Sequence, residues 1–180
     1  VRLMMSHFAR SALLAAMACA APVSALASED AAFFKSVEGK WQGPGEIVAG
    51  KYKGTKFVCT LDGTTPESKT GINMDGSCRV GVFAQEMSAK ILKSNGNYSG
   101  AFLDGAVGKG LDILSGKVTG DRVTMSLNRK KLNGAMLARL ENPDLMHVTI
   151  SVRVNKEMVR VIGMSLTRID QTSTGSVAKN

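Results

Sequence analysis

Short segments of alternating apolar and polar residues, separated by turn-forming dipeptides, run through most of this chain. In 121–129, Val123, Met125 and Leu127 alternate with polar residues, and the segment 146–154 repeats the pattern. Alternation with a period of two places apolar side chains on one face of a strand and polar side chains on the other. The sequence therefore predicts a succession of strands that each bury one face.

The links between these segments are short and rich in dipeptides that tolerate the positive φ of tight hairpins. The predicted turns are Asp62-Gly63, Asp75-Gly76, Asn95-Gly96, Gly120-Asp121, Asn133-Gly134, Asn142-Pro143-Asp144 and Asn155-Lys156. Most links are too short for parallel crossovers, so the strands are expected to be antiparallel. Closing such a sheet removes its exposed edges, which favours an all-β, up-and-down antiparallel barrel of about nine or ten strands. A two-sheet sandwich is the alternative, and 135–142 is alternatively a short helix.

Residues 1–27 have the three-part layout of a secretory signal peptide. Arg2 and Arg10 make a basic start, residues 11–21 form an apolar run, and Ala25-Leu26-Ala27 offers a cleavage site. The apolar run is shorter than the roughly 20 residues that span a bilayer. We expect export to a bacterial periplasm after cleavage near Ala27; a buried N-terminal helix is the alternative interpretation, and lipidation of Cys19 stays open.

The remaining chain is expected to form one domain over 28–169, followed by a flexible tail over 170–180. Residues 28–37 predict a short helix with an N-terminal cap and one apolar face. No later segment is apolar enough to cross a membrane, so a transmembrane protein is not expected. The chain has a net charge of +8, but no stacking aromatics accompany the basic residues, so nucleic acid is not an expected partner.

After the predicted cleavage two cysteines remain, Cys59 and Cys78, an even number in an oxidising compartment. A zinc site wants about four ligands, and these thiols with a single histidine, His147, fall short. A C-x-x-C redox pair is absent. We predict a structural disulfide between Cys59 and Cys78; free thiols and a redox or metal role are the alternatives.

The stretch "FFKSVEGKWQGPGEIVAG" places a short helix before Gly39 and Trp41 in a G-x-W motif. It resembles the opening of lipocalin-like (calycin) barrels, including nitrobindin-type domains, in which the tryptophan plugs the closed end. The chain as a whole is similar to a group of small exported proteins of rhizobial and related alpha-proteobacteria. The resemblance implies a barrel whose interior accepts an apolar ligand, with Gly39 and Trp41 as the plug.

Several functions are not expected. His147 falls on the polar face of its segment, whereas a nitrobindin-like haem site needs an inward histidine, so we expect no cofactor and no metal. No nucleophile motif such as G-x-S-x-G accompanies it, and no catalytic residues are assigned. We therefore expect a protein that is not an enzyme. The chain is also similar to small periplasmic protease inhibitors, although its acidic, helical start at residue 28 differs from their inhibitory segment.

Two basic clusters are the predicted anion-contacting residues: Lys51, Lys53, Lys56, Arg129, Lys130 and Lys131. They lie near predicted turns and can meet a ligand's anionic end or an anionic envelope surface, or are simply solvated. Methionines on the apolar faces suit either an adaptable interior or a plain core. The hypothesis is a periplasmic lipocalin-like protein that binds a small apolar or amphipathic ligand, lipids included. The alternative is a ligand-free envelope interaction module or a protease-inhibitor-like barrel.

Overall fold

Ten antiparallel strands close into a barrel behind one short helix in the computed structural model, which describes residues 28–103 and 110–169. The elements are α1 Glu29–Ser36, β1 Gly39–Ile47, β2 Lys56–Thr64, β3 Gly71–Val80, β4 Phe83–Ser94, β5 Asn97–Leu103, β6 Leu111–Thr119, β7 Arg122–Arg129, β8 Leu132–Asn142, β9 Leu145–Val154 and β10 Glu157–Arg168. The predicted signal peptide, 1–27, and the predicted tail, 170–180, lie outside the described residues.

Each strand pairs with its neighbours along the chain, and β1 pairs with β10 to close the barrel. The predicted antiparallel barrel is confirmed, and the sandwich alternative is wrong because β1 and β10 are hydrogen-bonded to each other. The described part of the chain contains no helix long and apolar enough to cross a membrane.

The predicted alternation decides which side chains fill the barrel. Val123, Met125 and Leu127 are buried on the inward face of β7, as are Met146 and Val148 on β9. The residues between them on β7 are exposed. Period-two patterning therefore fixes which face of each strand is buried, since a slip of one residue would turn the apolar set outward.

Two predicted turns are wrong, because Asp62-Gly63 lies within β2 and Asp75-Gly76 lies within β3. The chain reverses instead at 65–70. Gly63 serves close packing: a Cβ at this position would lie 2.8 Å from the backbone oxygen of Val37. Cys78 therefore lies inside β3, directly opposite Cys59 of β2.

The predicted turn at Asn133-Gly134 is also wrong, because both residues lie within β8. The reversal occurs three residues earlier, at Lys130-Lys131, where Lys130 adopts a positive φ of 54°. The alternative helix at 135–142 is not formed, since this segment pairs along β8 with β7 and β9.

The barrel has two unlike ends. The helix end carries α1 and the turns 65–70, 95–96, 120–121 and 143–144. The mouth end carries the connections 48–55, 81–82, 130–131 and 155–156, together with the end of β5 and the start of β6. The predicted helix is confirmed over Glu29–Ser36, where the Ser28 side chain accepts a hydrogen bond from the Ala31 N–H at 3.2 Å. Phe33 and Phe34 are buried beneath it, so α1 closes one end.

Candidate functional site

The barrel interior contains an apolar cavity of about 90 Å³ beneath α1. Phe33, Phe34 and Val37 line it from the helix side, and inward residues of the strands form its wall. A second space of about 40 Å³ lies beside Cys78 and Met87. Both spaces share the lining residues Leu61, Met74, Ala89, Phe102 and Met164.

These spaces are small for a ligand site, because pockets for drug-sized molecules usually have volumes of about 300–1,000 Å³. Most of the interior is filled by its own side chains. The side chains around the larger space can change conformation readily, because four of them are methionines: Met74, Met136, Met146 and Met164. Methionine is unbranched and repacks more readily than branched residues. The methionines are therefore the lining residues best able to repack around an apolar group.

The mouth end remains apolar but is open to solvent. Val80 pairs with Phe83 and shares the inward face of β3 with Cys78, so the register directs both toward the barrel axis. By the same argument Leu132 and Val154 point inward from β8 and β9. All four are exposed in spite of facing inward, and Phe83 reaches 78% exposure. We call these four exposed, inward-facing side chains the apolar entrance of the barrel.

The predicted basic residues gather at this mouth end. Lys51 and Lys53 are exposed in the 48–55 connection, and Lys56 begins β2 beside it. Lys130 and Lys131 form the exposed turn between β7 and β8. The structure thus places at the same end of the barrel two clusters that are far apart in sequence.

Arg129 differs from the other predicted basic residues. It shares the inward face of β7 with the buried residues Val123, Met125 and Leu127, and it is half-buried. Its position is the mouth end of the strand, next to the inward-facing Leu132 with which it pairs. A guanidinium group therefore lies at the edge of an apolar entrance.

The closed end is built around Trp41, which is fully buried. Its indole N–H donates a hydrogen bond to the backbone oxygen of Val37 at 2.9 Å. The Arg168 guanidinium lies 4.3 Å from the centroid of the indole ring. The same guanidinium donates hydrogen bonds to the backbone oxygens of Glu38, and of Ser36 at 2.8 Å. Trp41 and Arg168 therefore both bond the end of α1 to the barrel. Gly39, the first residue of β1, lies beside them and has a φ of 96°.

A polar cluster anchors the start of α1. The Tyr98 hydroxyl donates a hydrogen bond to the Asp30 carboxylate at 2.6 Å, and the Lys93 ammonium pairs with the same oxygen. Burial by itself would raise the pKa of Asp30, but the hydrogen bonds from Lys93 and Tyr98 hold it below its ordinary value. Burial and the neighbouring Asp30 raise the pKa of Tyr98.

We expect Asp30→Asn to lower the free energy of unfolding at pH 7 by about 1–3 kcal/mol, because the buried Tyr98 hydroxyl loses its charged hydrogen-bond acceptor. The folded-state pKa of Asp30 is depressed, so its contribution is present above its ordinary pKa of about 3.8 and is lost as pH falls through the folded value. Urea unfolding between pH 7 and pH 2 measures this. The difference between the two proteins should shrink toward acid pH; a constant difference would contradict the ionic role.

His147 lies on the outer wall of the barrel, as the alternation predicts. Its Nδ1 lies 3.0 Å from the Ser165 hydroxyl oxygen, and its Nε2 lies 2.7 Å from the Glu141 carboxylate. Ser165, His147 and Glu141 follow the order nucleophile, base and acid of a catalytic triad. They lie beside an open depression of about 490 Å³. The three residues lie on neighbouring strands, Glu141 on β8, His147 on β9 and Ser165 on β10.

The Cys59 and Cys78 side chains form a disulfide between directly opposite residues of β2 and β3. Cys59 is fully buried, and its sulfur lies 3.9 Å from that of Met164. Within the described residues no group of three or more His, Cys, Asp or Glu side chains is placed to hold a metal ion. The disulfide belongs to the barrel wall and lines the smaller internal space.

The chain matches no protein-family model and no curated protein. Among solved structures it is similar to Rv2717c from M. tuberculosis, with a TM-score of 0.55 and 13% identity over 81% of this chain and 99% of that chain. A structure of EF1p2_mFAP2b bound to DFHBI aligns with a TM-score of 0.43 and 10% identity, covering 79% and 100%. The first likeness, at this low identity, supports a lipocalin-like barrel fold and nothing further.

Two features of the closed end were missed in the sequence. Arg168 follows a regular strand pattern, and only its position on the strand beside β1 brings it to Trp41. Asp30 lies in the first turn of the predicted helix, and its main partners, Lys93 and Tyr98, are 63 and 68 residues away in sequence. A basic residue at the end of the last strand was the available signal for Arg168.

Proposed function

We propose that this protein is a periplasmic binding protein for a small apolar molecule, or for the apolar part of an amphipathic one. The observation that carries the proposal is the apolar entrance, where exposed side chains face the barrel axis above an apolar cavity. Inward-facing apolar residues exposed to solvent are costly unless something covers them. A ligand that enters from the mouth end covers them.

The charge around the entrance sets the kind of ligand. Arg129 faces inward at the mouth, and Lys130 and Lys131 follow it directly. An amphipathic acid therefore fits best, with its apolar chain toward the methionines and its anionic group toward these cations. Binding without catalysis is the proposed activity. The disulfide and the predicted signal peptide support a periplasmic location, since disulfides persist in oxidising compartments.

Titration with cis-parinaric acid, a fluorescent fatty acid, tests the proposal. We expect saturable binding that Ala89→Leu weakens about tenfold or more, because Ala89 lines both internal spaces and the larger side chain occupies them. Leu114→Ala is the matched control, since Leu114 is exposed on the outer wall of β6. The methyl ester should bind more weakly than the acid if the cations contact the carboxylate.

Three results would count against this function. The first is fluorescence that rises without saturation, and the second is equal binding by wild type and Ala89→Leu. The third is the absence of any retained small-molecule mass in native mass spectrometry of protein purified from its own host. The distribution of that native protein between periplasmic and cytoplasmic fractions tests the location separately.

A further inference from the structure

The exposed apolar side chains of the described residues concentrate at the mouth end. Val82 and Phe83, in and beside the 81–82 turn, are 85% and 78% exposed. Tyr52, in the 48–55 connection, is 62% exposed. Met158, near the mouth end of β10, is also exposed. Isolated exposed apolar residues are ordinary, but a cluster at one end of a molecule marks an interaction surface.

Basic residues lie among these apolar ones, and acidic residues are few. Exposed lysines occupy three of the mouth turns: Lys51, Lys53, Lys130, Lys131 and Lys156. In the four mouth turns described in full, with two residues on either side of each, Glu46 and Glu157 are the acidic ones. The helix end has no such excess, because Glu29, Asp121 and Asp144 lie there. The molecule is therefore electrostatically polarised along its barrel axis.

The apolar and basic groups are also in contact with one another. The Lys51 ammonium lies 5.4 Å from the centroid of the exposed Tyr52 ring. An aromatic ring with an adjacent cation is the arrangement found at membrane–water interfaces, where the ring enters the headgroup region and the cation meets the phosphates. Exposed apolar side chains with lysines nearby suit a surface that offers both a hydrocarbon layer and negative charge.

We propose that the mouth end of this barrel docks on an anionic lipid bilayer. The 81–82 turn and Tyr52 enter the headgroup layer, and the mouth lysines pair with lipid phosphates. A protein partner fits less well, because lysine is depleted from protein–protein interfaces, whereas exposed lysines occupy three of the mouth turns. The inference goes beyond the proposed ligand function, because docking needs no internal cavity; Phe83, which faces the barrel axis, belongs to both surfaces.

Co-sedimentation of the full chain with vesicles tests the proposal. We expect strong binding to equimolar phosphatidylcholine and phosphatidylglycerol at low salt and much weaker binding to phosphatidylcholine alone. Reversing two charges with Lys51→Glu and Lys53→Glu should lower partitioning to anionic vesicles about 25-fold or more, given about fivefold for each lysine. Val82→Ser with Phe83→Ser should lower it about tenfold, because apolar insertion is lost.

Matched controls keep the result specific. Lys69→Glu with Lys90→Glu makes the same change in net charge at exposed positions away from the mouth, and Leu114→Ser removes an exposed apolar side chain from the outer wall. Both should leave partitioning within about twofold of wild type, and circular dichroism should show all variants folded. Equal losses in the controls, or no binding to anionic vesicles at low salt, would overturn the proposal. Vesicle binding that depends on the lysines but is unchanged by the Val82 and Phe83 substitutions would also overturn it. So would a protein that binds no vesicles and is recovered only in complex with an acidic protein.

The same vesicle experiment separates this inference from the ligand proposal. Ala89→Leu, which fills the internal space, should leave vesicle binding unchanged while weakening cis-parinaric acid binding. A loss of vesicle binding in Ala89→Leu would contradict docking through the outer rim. The two functions therefore succeed or fail on different variants.

Discussion

Replacing Trp41 by alanine should lower the free energy of unfolding by about 3–5 kcal/mol, the usual cost of truncating a buried aromatic side chain. Trp41 has no exposed surface, and its indole N–H holds the Val37 carbonyl at the end of α1. Natural domains are stable by only about 5–15 kcal/mol, so the loss would remove much of the margin. Urea unfolding followed by far-UV circular dichroism measures it, because the variant lacks the chain's one tryptophan.

Two further variants separate the packing of Trp41 from its polar contacts. Trp41→Phe keeps most of the apolar volume but leaves the Val37 carbonyl without its donor, so about 1–3 kcal/mol should be lost. Arg168→Met removes the hydrogen bonds to the backbone oxygens of Ser36 and Glu38 while keeping an apolar stem over the ring. A Trp41→Ala protein as stable as wild type would show that the plug does not hold the barrel end.

The barrel was predictable because its main determinants are local in sequence. Alternation identified the buried face of β7 from Val123, Met125 and Leu127, and the turns at Asn95-Gly96 and Asn155-Lys156 occur where the dipeptides predicted them. Those two asparagines adopt positive φ angles of 50° and 55°, which asparagine tolerates better than most residues. Short-range preferences were sufficient there.

Glycine-containing dipeptides misled where glycine serves packing. Gly63 and Gly76 lie inside strands because a neighbouring backbone approaches them, and a Cβ at either position would collide with it. The sequence cannot distinguish a turn glycine from a close-contact glycine, because the second depends on a partner distant in the chain. The true turn at Lys130-Lys131 carries no strong turn signal.

The site was predictable only in its composition. The sequence indicated an apolar interior with methionines and basic residues near turns, and the structure places the lysines together at the mouth end. Cavity volume could not be anticipated, because it depends on how side chains such as Met74 and Met164 interlock across the barrel. The inward direction of Arg129 followed from the alternation of β7, once the strand extended to that residue.

Removing the Cys59–Cys78 disulfide should lower the free energy of unfolding by about 3 kcal/mol, from the loop entropy expected for its separation of 19 residues. The comparison is Cys59→Ala with Cys78→Ala against the intact chain, with Cys19→Ser in both proteins. The folded barrel should persist, because the β2–β3 ladder extends beyond the cysteine pair from Val58 to Thr64. Circular dichroism should therefore be unchanged while the urea midpoint falls. An unchanged midpoint would show that the ladder alone fixes this hairpin.

The burial of the disulfide also separates a structural role from a redox one. Thiol–disulfide exchange requires a thiolate to reach a sulfur atom; Cys59 is fully enclosed next to Met164, and Cys78 is half-buried and lines an internal space. We expect dithiothreitol to reduce the native protein at least 100-fold more slowly than the urea-unfolded protein, because access requires opening of the barrel. Rapid reduction in the native state would instead indicate an exchangeable pair. Slow reduction would agree with a structural role, in which the bond limits the conformations that the β2–β3 segment can adopt in the unfolded chain.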